Sequence, residues 1–176
     1  MNILITGAAG FIGFSLSKYI LDLNKKHKIY GLDILNNYYS LKLKKKRVNI
    51  LKKYKNFAFV KINLANKKQL ENKFRNVKID LVINLAAQAG VRYSLTNPEE
   101  YVYSNQLGFF NILNFCKKRK IKLIYASSSS VYGDHKRFPT RESQILKPKN
   151  IYSATKLGNE IFAEIFSNFY NLEIIG

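Results

Sequence analysis

The segment Asn2-Ile-Leu-Ile-Thr-Gly-Ala-Ala-Gly-Phe-Ile-Gly13 decides the fold of this chain. Its first five residues are a short, largely apolar run that predicts a buried β-strand. The glycines Gly7, Gly10 and Gly13 follow at a regular spacing, and apolar residues then recur at helical intervals as far as Leu23. The segment therefore predicts a strand, a tight turn and a helix in direct succession.

Strands and helices alternate along the rest of the chain. Apolar runs predict five further strands, at 28–32, 57–62, 81–85, 122–126 and 172–175. Amphipathic stretches predict helices at 41–53, 67–76, 98–118 and 151–170. Strands this apolar need cover on both faces, so we expect an α/β domain over residues 1–176: a Rossmann-type, doubly wound parallel sheet. Because Gly176 follows the sixth strand directly, we expect a fragment that is truncated there, without a C-terminal substrate-binding domain.

Composition and charge narrow the class of protein. The chain is 47% hydrophobic, and its single cysteine, Cys116, excludes an internal disulfide and suits a reducing compartment. The sequence shows neither a signal peptide nor an apolar run of the roughly 20 residues that a membrane span needs, so we expect a cytoplasmic protein without a membrane partner. The formal net charge is +19, but the lysines are spread along the whole chain. The densest run, Lys42 to Arg47, predicts a solvated helix face, and we expect no nucleic-acid partner.

The glycine turn predicts a dinucleotide site. Such a turn lets the backbone approach a pyrophosphate, and the N-terminus of the following helix attracts the anion. The spacing is a variant of the common G-x-G-x-x-G fingerprint. Asp33 lies 20 residues beyond Gly13, at the end of the second strand, where its carboxylate can accept both hydroxyls of an adenosine ribose. Because the same carboxylate repels a 2′-phosphate, the pattern predicts NAD rather than NADP as the cofactor.

A tyrosine and a lysine four residues apart, Tyr152 and Lys156, predict a general base. At this spacing both side chains lie on one face of the predicted helix. Positive charge from the lysine and from an oxidised nicotinamide favours the phenolate form of the tyrosine. A phenolate can take a proton from a sugar hydroxyl as hydride leaves. A serine cluster, Ser127 to Ser130, follows the fifth strand, and the combination predicts a nicotinamide site that carries its own base.

Longer motifs identify a family resemblance. They are Gly31-Leu-Asp-Ile-Leu-Asn-Asn-Tyr-Tyr39, Asn84-Leu-Ala-Ala-Gln-Ala-Gly-Val-Arg-Tyr-Ser94 and Ser127-Ser-Ser-Ser-Val-Tyr-Gly133. With them, essentially the whole chain resembles the extended short-chain dehydrogenase/reductase superfamily, in its NAD-dependent epimerase/dehydratase family, and the UDP-glucuronate 4-epimerases in particular. The resemblance implies that Tyr152 is the general base, that Lys156 holds the nicotinamide ribose, and that Ser128 bridges the base and the substrate.

The same resemblance implies further contacts and no metal site. Cofactor contacts are expected from Gly7, Gly10, Phe11, Ile12, Gly13, Asp33, Asn63, Leu64, Leu85, Ala86, Ala87, Tyr152 and Lys156. Contacts with a UDP-sugar substrate are expected from Gln88, Arg92, Ser94 and Ser129, with a structural role at a helix start as an equal alternative for Arg92 and Ser94. Asn63 stands where relatives usually carry an aspartate at the adenine, so we expect weaker but not lost binding there. Asn84 replaces a common histidine.

The resemblance favours C4 epimerisation of UDP-glucuronate through a transient 4-keto intermediate. Related dehydratases and decarboxylases carry acidic residues just before Val-Tyr-Gly, where this chain has Ser129 and Ser130. Two alternatives stay open: a non-catalytic NAD- or nucleotide-binding module, and a sugar-nucleotide dehydratase or decarboxylase relative. For the 176-residue chain alone we expect cofactor binding without turnover.

The resemblance also implies a homodimer. The helices 98–118 and 151–170 are those that pair two subunits in this family, and their aromatic faces include Phe110, Phe115, Phe162 and Phe166. In the alternative, these side chains pack only on the sheet of their own chain.

Overall fold

A computed structural model describes residues 1–134 and 138–176. The strands are β1 (Asn2–Thr6), β2 (Lys28–Asp33), β3 (Phe57–Lys61), β4 (Leu81–Asn84), β5 (Lys122–Tyr125) and β6 (Ile174–Ile175). They form one sheet in the order β3-β2-β1-β4-β5-β6, and all five pairings are parallel. The helices are α1 (Phe11–Leu23), α2 (Leu41–Leu51), α3 (Lys67–Lys73), α4 (Tyr93–Thr96), α5 (Pro98–Tyr101), α6 (Gly108–Arg119) and α7 (Ile151–Tyr170).

The sheet carries a hydrophobic core on each face, because alternate side chains of a strand point to opposite sides. Leu4 of β1 joins the larger core, to which α3, α6 and α7 contribute. Its neighbours Ile3 and Ile5 join the smaller core, to which α1 and α2 contribute. Helices therefore cover both faces, and the expected doubly wound parallel sheet is confirmed.

The strand order reverses direction between β1 and β4, which are neighbours in the sheet although β2 and β3 separate them in sequence. Open α/β sheets bind ligands at such a switch point, outside the carboxyl ends of the strands. Here the two strands end side by side at Thr6 and Asn84, and the Thr6 hydroxyl donates to Asn84 Oδ1 at 2.7 Å. Asn84 thereby joins the two halves of the sheet at the edge where a site is expected.

The long helix that the sequence predicts after Asn97 is not uniform. It consists of α5, a π-helical segment at Val102–Leu107, and α6. Two short elements have no counterpart in the predictions: α4 and a 3₁₀ turn at Ser129–Tyr132. The sixth strand has only two paired residues, because its ladder with β5 covers only Ile174 and Ile175. None of the helices in the described part of the chain has the length and apolar character needed to cross a bilayer.

The aromatic side chains of α6 and α7 divide into two groups. Phe115 and Phe166 are only 2% and 5% exposed and belong to the larger core. The expectation that they face a second subunit is therefore wrong, because they pack against the sheet of their own chain. Phe162 is partly buried against the same core, whereas Phe110 is 38% exposed.

Candidate active site

The glycine turn is tightly packed between β1 and the loop that follows β4. Gly7 adopts φ +68°, and a Cβ there would lie 2.9 Å from the backbone nitrogen of Ala86. A Cβ on Gly13 would lie 2.2 Å from the Gly7 carbonyl oxygen, so the first turn of α1 needs glycine to approach the loop. Gly10 closes the turn by donating its N–H to the Gly7 oxygen at 2.9 Å.

The start of α1 is open to a ligand. The cap residue of this helix is Gly10, which has no side chain to bond the first N–H groups, and Phe11 and Ile12 both expose most of their side chains. Uncapped first-turn N–H groups, together with the helix dipole, attract anionic groups. The cradle that a Cβ would fill and this uncapped helix end suit a pyrophosphate, as the sequence predicts.

Asp33 lies beside the glycine turn at the end of β2. Its Oδ2 accepts the N–H of Ala9 at 3.1 Å, and its Oδ1 accepts the N–H of Leu35 at 2.8 Å. These bonds fix the carboxylate, and each oxygen keeps a second lone pair for a ribose hydroxyl.

Two cations of α2 flank this corner, and the sequence reasoning missed them. Arg47 donates to the carbonyl oxygen of Ala9 at 3.3 Å, and Lys44 Nζ donates to Asn36 Oδ1 at 2.5 Å. Burial lowers the pKa of Lys44, while the charge of Asp33 opposes that shift. Their helical spacing suggested a solvated face, yet Lys44 and Arg47 turn toward the loops at the sheet edge.

The loops after β3 and β4 present mainly backbone. Leu64 is buried in the larger core, and its carbonyl oxygen accepts from Asn111 at 2.8 Å. Asn63 is exposed, and its Oδ1 accepts the N–H of Ala65 at 2.9 Å. The segment 85–87 is half-buried. Its residues Leu85 and Ala86 donate their N–H groups to the hydroxyl oxygen of Thr6, at 3.2 and 3.1 Å.

The predicted base and its lysine lie in the first two turns of α7. Asn150 caps this helix in a capping box with Ser153, which fixes where the helix begins. Lys156 is 5% exposed, and its Nζ donates to the carbonyl oxygen of Ala126 at 2.9 Å. Burial lowers the pKa of Lys156 to about 8. Tyr152 is half-buried, one turn before the lysine.

The serine cluster is fixed by hydrogen bonds between its own residues and by a hydrogen bond to α7. Ser128 caps the 3₁₀ turn by accepting the N–H of Ser130 at 3.2 Å, and the hydroxyls of these two serines lie 2.8 Å apart. Ser127 donates to the carboxylate of Glu160, one turn beyond Lys156 on α7. The helix that carries Tyr152 thus holds both Ala126 and Ser127, directly before Ser128. Ser129 is exposed.

The three predicted substrate residues after β4 have different surroundings. Gln88 is buried. Its backbone N–H donates to Asn105 Oδ1 at 2.7 Å, and its carbonyl oxygen accepts from Asn105 Nδ2 at 3.1 Å. Ser94 is buried and donates to the carbonyl of Val91 at 2.6 Å, a helix-start role that was the stated alternative. Arg92 is exposed just before α4.

Asn105 is a residue that sequence reasoning missed. It lies in the π-helical segment, is buried, and also donates to Thr155 Oγ1 on α7 at 3.1 Å. It therefore connects the loop after β4 to the helix of the predicted base. Because the polar residues Ser104 and Gln106 flank Asn105, nothing in the sequence distinguishes it from its neighbours.

The fold and site define the class of protein. The parallel sheet, the glycine turn at the switch point, and the Tyr152–Lys156 pair on α7 are those of the extended short-chain dehydrogenase/reductases. Within that class, the chain belongs to the family whose model is described as GDP-mannose 4,6 dehydratase, which matches residues 4–176.

Known proteins similar to the chain include epimerases. Protein CapI of Staphylococcus aureus is 46% identical over 179 residues, covering 100% of this chain and 52% of the relative. The UDP-glucuronate 4-epimerase of Thermodesulfobacterium geofontis is 40% identical over 172 residues, covering 97% and 53%. A crystal structure of UDP-glucuronic acid 4-epimerase from Bacillus cereus, in complex with UDP-glucuronic acid and NAD, superposes with a TM-score of 0.89 at 32% identity, covering 99% and 55%. The chain thus spans about half the length of these relatives.

Proposed function

We propose that the chain is the NAD-binding and catalytic half of an NAD-dependent UDP-sugar 4-epimerase, whose substrate is UDP-glucuronate. The observation that carries this proposal is a pair of hydrogen bonds between α7 and the serine loop. Lys156 donates to the carbonyl oxygen of Ala126, and the carboxylate of Glu160 accepts from Ser127. These bonds join the base-bearing helix to the loop of Ser128. The similarity to UDP-glucuronate 4-epimerases supports the reaction and the substrate.

The residues present fit NAD. The glycine turn and the uncapped start of α1 suit its pyrophosphate, Asp33 suits the adenosine ribose, and Lys156 suits the nicotinamide ribose. NAD, when bound, can accept a hydride and give it back.

The chain's own residues move and hold the proton. Tyr152, as the phenolate, takes the proton of the C4 hydroxyl and returns it to the C4 oxygen when the alcohol is restored. Lys156 supplies positive charge beside that phenolate from a buried position. Ser128, whose hydroxyl is oriented by Ser130, donates to the C4 oxygen.

Dehydration and decarboxylation fit the site less well. The positions at which such relatives carry acidic residues hold Ser129, which is exposed, and Ser130, which is bonded to Ser128. The carboxylate of Glu160 does contact this loop, but it accepts from Ser127 rather than occupying either of those positions. Inversion at C4 needs only the base, the hydroxyl donor and the cofactor, so it is the reaction that these residues favour.

We also propose a homodimer through α5, α6 and α7. Apolar side chains are exposed on the π-helical segment between α5 and α6, on α6 and on α7: Val102, Tyr103, Leu107, Phe110, Ile161, Ile165 and Phe169. Phe169 is 81% exposed. Large apolar side chains exposed on helices that contact one another are typical of an isologous interface. Light scattering should give a dimer mass that falls to a monomer mass in Phe169→Glu, whereas Lys45→Glu on α2 should leave it unchanged.

Two measurements test the proposed activity. Calorimetry on the 176-residue chain should show NAD binding. The protein carrying both halves, given NAD and UDP-glucuronate, should invert C4 while keeping the C4 hydrogen in D₂O, as followed by proton NMR. NAD binding without conversion would leave the nucleotide-binding module as the function. A 4-keto-6-deoxy product or released CO₂ would instead identify a dehydratase or a decarboxylase.

A further inference from the structure

Tyr101 is a buried tyrosine that the proposed reaction does not use. It lies at the end of α5 and is 0% exposed. Burial of a phenol is favourable only when its hydroxyl finds a partner. Its hydroxyl lies 2.9 Å from the carbonyl oxygen of Ala89 and also donates to that of Gly90. Because burial raises the pKa of Tyr101 to about 12, the hydroxyl keeps its proton and remains a donor.

The Tyr101 ring contacts the ring of the predicted base. The ring centroids of Tyr101 and Tyr152 are 6.2 Å apart with an interplanar angle of 80°, an edge-to-face contact. Such pairs contribute orientation as well as burial. The same ring lies 6.3 Å from that of Tyr93, which in turn lies 4.7 Å from Tyr38. Tyr101 is thus the member of this aromatic row that contacts Tyr152.

The loop that Tyr101 holds is conformationally demanding. Gly90 adopts φ +99°, and a Cβ there would lie 2.0 Å from the hydroxyl oxygen of Tyr38. The loop lies between Gln88 and Arg92, two of the predicted substrate contacts. The single O–H proton of Tyr101 is shared between these two consecutive carbonyls and keeps the backbone in place against the Tyr38 ring.

We infer that Tyr101 is a positioning residue with two separable functions: its ring orients the base Tyr152, and its hydroxyl shapes the Ala89–Gly90 loop for the sugar nucleotide. This inference rests on the proposed function, because that proposal makes Tyr152 the base. The two functions belong to different atoms of one side chain, so two substitutions can separate them.

Tyr101→Phe keeps the ring and removes the hydroxyl. The KM for the UDP-sugar should rise roughly fivefold, the effect of losing a hydrogen bond of ordinary net strength, while kcat stays within about twofold. Tyr101→Leu removes the ring contact as well, and kcat should fall about 100-fold, as expected when a reacting group loses its alignment. Two matched controls should leave both KM and kcat unchanged. Tyr54→Phe removes a hydroxyl that is hydrogen-bonded to Asp22, and Tyr30→Leu removes a ring contact with Phe74.

A second measurement does not depend on turnover. In NMR spectra of the chain with ring-labelled tyrosine, the Tyr152 signal is assigned by its loss in Tyr152→Phe. Tyr101→Leu should move that signal and Tyr101→Phe should not, whereas Tyr101→Phe should move the amide signal of Gly90. If the protein converts no UDP-glucuronate but these shifts occur, the proposed activity fails and the positioning role stands. The inference would be overturned if both variants showed the same rise in KM and the same fall in kcat. It would also be overturned if Tyr101→Leu left the Tyr152 signal unmoved.

Discussion

Two groups of residues lie at the same edge of the sheet: the nucleotide corner, around the glycine turn and Asp33, and the catalytic corner, around the proposed base Tyr152. Different forces hold the residues of the two corners. In the nucleotide corner, Gly7, Gly13 and Asp33 lie within the first 33 residues and are fixed by backbone packing and backbone N–H groups. In the catalytic corner, side-chain bonds join elements far apart in sequence: Lys156 to Ala126, and Asn105 to Thr155.

Because of this difference, the two corners should tolerate different kinds of amino-acid substitution. A site built from backbone geometry fails when a side chain is added, because a Cβ displaces atoms that cannot move. A site built from long-range side-chain contacts fails when a side chain is removed, because the partner loses its alignment or is left unpaired. The two corners should therefore respond to opposite kinds of substitution, and each can be altered with the other left intact.

The largest expected effect is in the catalytic corner. Tyr152→Phe removes the base while keeping the ring that packs on Tyr101, so turnover of the protein carrying both halves should fall by at least ~10²–10⁴-fold. The NAD affinity of the chain should fall by no more than about fivefold, because only one hydroxyl among the expected cofactor contacts is removed. Exposed Tyr19 on α1 provides the control, Tyr19→Phe. Near-normal C4 inversion by Tyr152→Phe would show that another group is the base.

The charge of Lys156 gives a prediction on the stability of the same corner. Its pKa in the folded chain is about 8, lowered from the usual 10.5 by burial. Between these two values the unfolded chain binds more protons than the folded chain, so the free energy of unfolding should rise with pH across this window. Relative to Lys156→Met, the unmodified chain should gain about 3 kcal/mol between pH 7.5 and pH 10.5.

Urea unfolding of both chains at several pH values measures this gain. Lys73→Met, at the end of α3, is the control and should follow the unmodified chain. A constant difference between the unmodified chain and Lys156→Met over the whole range would mean that Lys156 is not desolvated.

The same contrast explains what could be predicted from the sequence. Asp33 and the glycine turn depend on a spacing of a few residues after a strand, so local pattern places them correctly beside one another. Asn105, Glu160 and Tyr101 acquire their roles from partners on other elements, at Gln88, Ser127 and the loop at 89–90. Nothing in their own neighbourhood in the sequence shows those partners. The π-helical segment was missed for the same reason, because hydrophobic periodicity shows that a helix is present but not where it changes pitch.

Glycine substitutions test the nucleotide corner. Gly13→Ala places a Cβ 2.2 Å from the Gly7 carbonyl, and relieving that clash should cost about 1–3 kcal/mol of stability and push the turn away from α1. NAD affinity should fall together with stability. Gly10→Ala is the matched control, since its Cβ would meet the same oxygen only at 3.1 Å, and its effect should be clearly smaller. Chemical denaturation and calorimetry of both variants measure the difference, and equal effects would contradict the packing argument.

The smallest expected effect concerns the choice between NAD and NADP at Asp33. Asp33→Asn keeps an oxygen that can accept from Ala9 or Leu35 but removes the charge that repels a 2′-phosphate. Lys44 and Arg47 then remain as the nearby cations, so NADP should gain on NAD by about tenfold in relative affinity. Damage to the loop alone would weaken both cofactors equally, and the ratio of the two calorimetric affinities therefore isolates the charge. Tighter binding of NADP than of NAD to the unmodified chain would show that these cations, and not the carboxylate, dominate the nucleotide corner.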